Sequence, residues 1–182
     1  ENIKNISNSV FRKKVQLIFQ DPYSSLNPEV SVGRSIIEPM IAHKIFSSKK
    51  EMKIRVLELL NQVGLLESDY NKFPNQFSGG QRQRIVIARA LALNPEIIIC
   101  DESVSALDVS IQAQILNLLS DLKEKYLFTF LFISHDMSVI KYFTDRLIVL
   151  KKGQIIELNE TDFLFDNPKK TYTKSLIKAS DF

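Results

Sequence analysis

The sequence predicts an α/β fold with a largely parallel sheet, and its patterning carries that expectation. Apolar runs of strand length recur at 15–19 (VQLIF), 97–100 (IIIC) and 128–134 (FTFLFIS), with helix-period stretches between the last two and ahead of IIIC. Alternating buried-strand and helix signals are what parallel strands joined by crossovers produce. At 182 residues, 45% hydrophobic and 25% charged, the chain can bury a sizeable core with a small subdomain. The formal net charge of +3 is spread among charges of both signs. That reads as a solvated mixed surface, so no nucleic-acid partner is expected.

In chain order, VQLIF is a short strand that halts at Gln20-Asp21-Pro22. The following DPYSSLNPEVSVG is rich in Pro, Ser, Asn and Asp and is expected to be loop. A helix is expected from about Lys49, because Met52, Val56, Leu59, Leu60 and Val63 fall on one face, with Gly64 at or near its end. A second helix runs from Gly79 or Gly80 to Leu93 and is stopped by Asn94-Pro95. IIIC, a continuous apolar run, is expected to be a strand covered on both faces. After Asp108 the stripe Ile111, Ile115, Leu118, Leu119, Leu122 marks another helix. FTFLFIS is the next buried strand and Met137 to Phe143 a short helix. RLIVL (146–150) and QIIEL (154–158) are strands joined by a turn at Gly153.

The one cysteine, Cys100, excludes an intramolecular disulfide framework and an all-cysteine metal cluster, and in IIIC it is expected to behave as a small buried hydrophobe. No apolar run approaches the roughly 20 residues of a membrane helix. The first residues, ENIKNISNSV, lack a signal core. A cytoplasmic protein, free to dock on a membrane protein, is the expectation.

Asp101 and Glu102 end a buried strand, where open α/β sheets place their ligand sites. Two adjacent carboxylates there suit metal-assisted phosphate chemistry, one holding Mg²⁺ and the other orienting or deprotonating water. The alternative is a strand that simply ends in solvated acids. Ser78-Gly79-Gly80-Gln81 opens a helix, and glycines at a helix N-terminus let phosphate oxygens approach unpaired N–H groups. His135 ends the next strand and Gln20 ends VQLIF in the same manner. Because parallel strand ends gather on one edge, these groups could share a site, although His135 alone suits a surface or capping role as well.

Taken together, these residues resemble the ATP-binding cassette (ABC) ATPases. FSGGQ (77–81) is similar to that family's signature motif, usually written with Leu in place of Phe77. IIICDE resembles its Walker B strand, Ser105-Ala106-Leu107-Asp108 its D-loop, His135 its switch histidine and Gln20 its Q-loop glutamine. FQDPYSSLNP (19–28), CDESVSALDVS (100–110) and NPKKTYTKSL (167–176) resemble the ATPases of oligopeptide, dipeptide and nickel importers, in the form of the second, F-type subunit. Where relatives often have NPxHPYT, this chain has Lys170 and Thr171 in place of His-Pro.

The resemblance implies a P-loop NTPase core plus a helical subdomain, with ATP and Mg²⁺ as cofactors. It implies that Glu102 polarises the attacking water and that Asp101, helped by Gln20, holds Mg²⁺. It implies that His135 contacts the γ-phosphate, that Asp108 signals across a dimer beside Ser105, and that Ser78, Gly79, Gly80 and Gln81 face a nucleotide held by the partner. The implied organisation is 1–20 as the end of the N-terminal core, 21–76 as the helical subdomain, 77–150 as the ATPase core and 151–182 as a C-terminal extension. The implied partners are a second ABC ATPase in a heterodimer, transmembrane permease subunits and, indirectly, a peptide-binding protein, at the cytoplasmic face of the cell membrane.

No G-x-x-x-x-G-K-[S/T] occurs, since the five glycines are Gly33, Gly64, Gly79, Gly80 and Gly153. In the family that phosphate loop lies a few tens of residues ahead of the Q-loop. The expectation is therefore a C-terminal part whose N-terminal strands and Walker A segment are absent. The activity expected is ATP hydrolysis powering import of oligopeptides or dipeptides. The alternative is a non-catalytic remnant or half-site partner that lends only its signature helix.

Overall fold

The computed structural model describes residues 7–180. The domain limits at residues 1 and 182, and the reading of the first residues as lacking a signal core, fall partly or wholly outside that range. The described chain separates into two compact units, divided between Leu131 and Phe132.

In the first unit, α1 (Asn8–Lys14) feeds directly into β1 (Val15–Ile18). β1 pairs in parallel with β2 (Ile97–Asp101), from Val15 opposite Ile97 to Ile18 opposite Cys100. β3 (Thr129–Ile133) completes a three-stranded sheet in the order β1-β2-β3 and runs across the division between the units. The expected parallel core is thus present. Burial of the strands differs from expectation. Ile98 and Cys100 are fully buried, but Ile97 is 38% exposed, and Leu131 and Ile133 of β3 are 48% and 46% exposed. A run in which every residue is apolar cannot report which of its two faces is covered.

Residues between β1 and β2 contain only helices and turns: α2 (Pro22–Ser25), α3 (Val32–Ala42), α4 (Lys49–Gln62) and α5 (Gly79–Leu91), with short 3₁₀ turns before α5. The loop expected over 21–33 is therefore corrected. Asp21 caps α2 by accepting from the N–H groups of Tyr23 (2.8 Å) and Ser24 (3.2 Å), with Pro22 in the first turn where its missing N–H costs nothing. Helix α3, for which no helix is expected above, carries Gly33 and Pro39, both poor helix formers. Its buried Val32, Ile36 and Met40 nevertheless recur every four residues and pack on α4 and α5. α4 begins at a Ser48–Glu51 capping box. It ends as expected at Gly64 (φ 73°), where Leu65 N–H bonds Leu60 O and Gly64 N–H bonds Asn61 O in a Schellman arrangement. The expected apolar face of α4 is buried throughout. α6 (Val109–Tyr126) follows the expectation in part: Ile115, Leu119 and Leu122 are inside, Ile111 and Leu118 of the expected stripe are half-buried, and Leu116 is buried as well.

The second unit holds α7 (Met137–Phe143), β4 (Arg146–Lys151), β5 (Gln154–Glu160), α8 (Thr161–Asp166) and α9 (Thr171–Ala179). β4 and β5 form an antiparallel hairpin whose turn places Lys152 and Gly153 at φ 50° and 76°, as a tight hairpin turn requires. Leu147 and Val149 pack with Met137, Ile140, Leu164 and Phe165. Glu157 accepts from the N–H groups of Lys169 (2.9 Å) and Lys170 (3.1 Å), which anchors the start of α9 to the hairpin. Thr171, in place of the proline of relatives, is the first residue of α9.

The Asp21 cap makes a pH prediction. Hydrogen bonding from the Tyr23 N–H, opposed by desolvation and then reinforced by Ser24, holds the Asp21 carboxyl below its ordinary value of 3.8. A depressed folded pKa adds stability that is complete above the unfolded value and is lost as pH falls through the folded one. Asp21→Ala should therefore lower the urea midpoint by a constant amount from neutrality down to about the ordinary carboxylate value. Below that the two proteins should converge. A difference that instead vanished between pH 5 and 7 would rule out the cap.

Candidate functional site

The parallel register sets Gln20 and Asp101 at the same edge, since Ile18 lies opposite Cys100 and each strand then runs out. Gln20 Nε2 donates to Ser105 Oγ at 3.2 Å, and Ser105 Oγ donates to the Glu102 carbonyl at 2.9 Å. The Ser105 N–H reaches the same carbonyl at 3.0 Å, closing a turn directly after β2. Glu102 sits at φ 47° in the left-handed region. A non-glycine residue there costs of order 1–3 kcal/mol, and such residues concentrate at functional sites. Asp101 is exposed and Glu102 half-buried at the strand end. Asp108 starts α6, and its carboxylate caps no helix N–H.

The SGGQ segment is built onto the same loop. Ser78 and Gln81 form a capping box: Gln81 N–H to Ser78 Oγ at 3.3 Å and Ser78 N–H to Gln81 Oε1 at 3.0 Å. The intrahelical ladder of α5 begins only with Arg82 N–H to Ser78 O at 2.9 Å. Gly79 and Gly80 therefore carry the first-turn N–H groups with no partner in the helix pattern, at its positive end. A Cβ on Gly80 would lie 2.6 Å from Ile111 Cγ2, and one on Gly79 3.7 Å from Leu107. Gly80 is thus required by the close approach of α5 to the start of α6.

Residues that sequence reasoning missed tie these parts together. Gln83 is buried and its Nε2 donates to Ser103 O at 2.7 Å, fastening α5 to the loop after β2. Arg82 stacks on Tyr23, and Arg89 donates to Ser25 O at 2.5 Å, fastening α5 to α2. Polar side chains at Arg82, Gln83 and Arg89 within a largely buried helix were the available signal. Cys100 is buried, and burial pushes its thiol up to about 12 despite the Ser103 hydroxyl, so it is the inert hydrophobe expected. A cavity of about 400 Å³ lined by Arg12, Glu38, His43 and Arg89 also includes Val15 and Gln16. It therefore opens at the start of β1, away from the strand ends that carry Gln20 and Asp101.

The ABC transporter family pattern matches residues 1–105, more than half of the chain and the whole run from β1 through the Ser105 turn. The chain belongs to the ABC transporter family. It is 53% identical over 169 residues to the oligopeptide transport ATP-binding protein OppF of Bacillus subtilis, covering 93% of this chain and 55% of that one. To the dipeptide transport ATP-binding protein DppF of Haemophilus influenzae it is 46% identical, covering 93% and 51%. Among solved structures, cbiO1 from Clostridium perfringens, part of the ABC transporter complex cbiONQ, superposes with a TM-score of 0.75 at 26% identity. That alignment covers 85% of this chain and 60% of that one. The fold is accordingly that of an ABC ATPase. The chain spans about half the length of OppF and DppF.

Within this ABC chain, Gln20, Ser78, Gly79, Gly80, Gln81, Asp101, Glu102, Ser105 and Asp108 all lie in the first unit. His135 lies in the second, in the exposed turn between β3 and α7. It is not the cap of α7. Asp136 fills that role, accepting from Ser138 N–H at 2.9 Å and Val139 N–H at 3.3 Å.

Proposed function

We propose that these residues form the hydrolytic core of an ATP-binding subunit that powers an ABC importer of oligopeptides or dipeptides. The observation that carries the reading is the hydrogen-bonded line from Gln20 through Ser105 to Glu102, at the ends of adjacent parallel strands and beside the SGGQ helix. Similarity to OppF and DppF supports the importer class. Because the chain covers about half of each, the activity is proposed for the whole protein that contains these residues.

Glu102 polarises the attacking water as general base, and His135 contacts the γ-phosphate. Ser78, Gly79, Gly80 and Gln81 present N–H and hydroxyl donors to a nucleotide held by a second ATP-binding subunit, with Ser105 and Asp108 at the junction. The donor set suits Mg²⁺, which is bound through one or two carboxylates plus waters and substrate phosphates rather than by an all-protein cage. Asp101 offers the carboxylate. Gln20, with Nε2 given to Ser105, keeps its carbonyl oxygen as the ligating atom. The metal when bound neutralises charge developing on the phosphates.

Residues 21–76 act as the helical subdomain that docks on the permease, 77–150 as the ATPase core and 151–182 as an extension. Among the described residues no helix is long and apolar enough to cross a membrane. The working place is the cytoplasmic face of the membrane, on permease subunits supplied by a peptide-binding protein. The full-length protein assembled with its partner ATPase and permease should hydrolyse Mg-ATP. Cysteines at Ser24 or Ser31 should crosslink to a cytoplasmic permease loop. An assembly in which this subunit's site never turns over ATP would support a half-site role instead, and crosslinks arising only from 146–182 would overturn the docking assignment.

A further inference from the structure

Arg82 and Arg89 stand seven residues apart on α5, which places them two turns apart on one side of the helix. The Arg82 guanidinium lies 3.8 Å from the centroid of the Tyr23 ring, while its Nε donates to Pro74 O at 2.6 Å. Arg89 Nη1 donates to Ser25 O at 2.5 Å. Tyr23 and Ser25 belong to α2, the four-residue helix that directly follows Gln20 and Asp21. So short a helix has no cooperative stability of its own and depends on what holds it. Local support comes from the Asp21 cap, the Ser24 and Ser25 hydroxyls on Asp21 O and buried Pro22, and support from outside the segment includes the two arginines of the helix that begins with SGGQ.

We propose that Arg82 and Arg89 are positioning residues that lock the segment after Gln20 onto α5 and so hold Gln20 against Ser105. The functional consequence rests on the ATPase reading above. In a paired ATPase, SGGQ faces the partner's nucleotide and Gln20 faces this subunit's own. Loss of either contact frees the segment that positions Gln20 and so slows hydrolysis at this subunit's own site. Arg82 is 8% exposed, and its stacking needs a flat guanidinium, which a lysine cannot supply. Arg89 needs only a donor that reaches Ser25 O.

The test uses the full-length protein with its partner ATPase. Arg89→Ala should lower kcat about tenfold or more while lowering ATP affinity less than Asp101→Asn does, since the metal's carboxylate is untouched. Arg89→Lys should recover most of kcat, whereas Arg82→Lys should behave like Arg82→Ala. Gln20→Ala combined with Arg89→Ala should be no slower than Gln20→Ala alone, because the arginine acts through Gln20. Hydrogen exchange at Tyr23–Ser25 should rise about tenfold in either alanine variant. Losses that multiply in the double variant, unchanged exchange at α2, or a lowered unfolding temperature with kcat intact would each overturn the proposal. If the wild-type assembly shows no hydrolysis, the ATPase reading fails, and exchange at α2 alone decides whether the arginines hold it.

Discussion

Replacing Glu102 by glutamine in the full-length protein should stop turnover at this subunit's site while ATP stays bound. Glu102 directly follows Asp101, the last residue of β2, and its backbone is pinned by two hydrogen bonds from Ser105, at 3.0 Å from the amide and 2.9 Å from the hydroxyl. Glutamine is nearly isosteric and tolerates the left-handed backbone no worse than glutamate, so that turn should survive. What is lost is the ability to accept a proton from water, and a positioned base typically contributes about 10²–10⁴-fold. Binding should persist because Asp101 and the Mg²⁺ it would hold are untouched. The variant should therefore accumulate an ATP-bound closed pair. Asp101→Asn is the useful contrast, since weaker metal binding lowers nucleotide affinity as well. The measurement is turnover and retained nucleotide in a pair whose other site is already inactive. Near wild-type hydrolysis by Glu102→Gln would remove Glu102 from the role of base.

That prediction could be written from the sequence because the relevant signals are local. A β-branched run followed by two acids marks a strand end, and register does the rest. Gln20 and Asp101 reach one edge because β1 and β2 are parallel, which the alternation of strand and helix already implied. The helix start at SGGQ and the Gly64 helix end were equally local. Tertiary dependence is what hid the rest. Helix α3 carries a glycine and a proline that argue against it residue by residue, and it exists because Val32, Ile36 and Met40 find α4 and α5. α2 is expected as loop because its composition is that of a turn, and beyond the local Asp21 cap it is held by α5, whose Arg89 lies 64 residues past Ser25. The partly open face of β2 and β3 was hidden for a different reason. Uniformly apolar strands look the same whether one side or both are covered.

Gly80→Ala should be the costliest small change in the SGGQ segment, and its neighbour Gly79→Ala should be nearly harmless to stability. Helix propensity alone predicts a gain of up to about 1 kcal/mol for alanine over glycine, less in the first turn. Packing opposes it. The new methyl would lie 2.6 Å from Ile111 Cγ2, whereas at Gly79 the nearest atom is Leu107 Cδ2 at an ordinary 3.7 Å. Ile111 lies in the first turn of α6, and a β-branched side chain in a helix has one strongly preferred rotamer, so it cannot swing aside cheaply. Overpacking of this kind costs about 1–3 kcal/mol, which outweighs the propensity gain. The first turns of α5 and α6 must part, carrying the Gly79 and Gly80 N–H groups away from the Ser105–Asp108 loop. Misplacement by about 1 Å is enough to cost on the order of 10²-fold in a positioned site. In the assembled pair, Gly80→Ala should therefore impair hydrolysis of the nucleotide held by the partner more than it impairs ATP binding. Ile111→Ala removes the clashing methyl, so Gly80→Ala made in that background should cost no further stability. Urea midpoints of the four proteins decide the matter: if Gly80→Ala lowers stability equally with isoleucine or alanine at position 111, the contact with Ile111 is not what requires glycine at position 80.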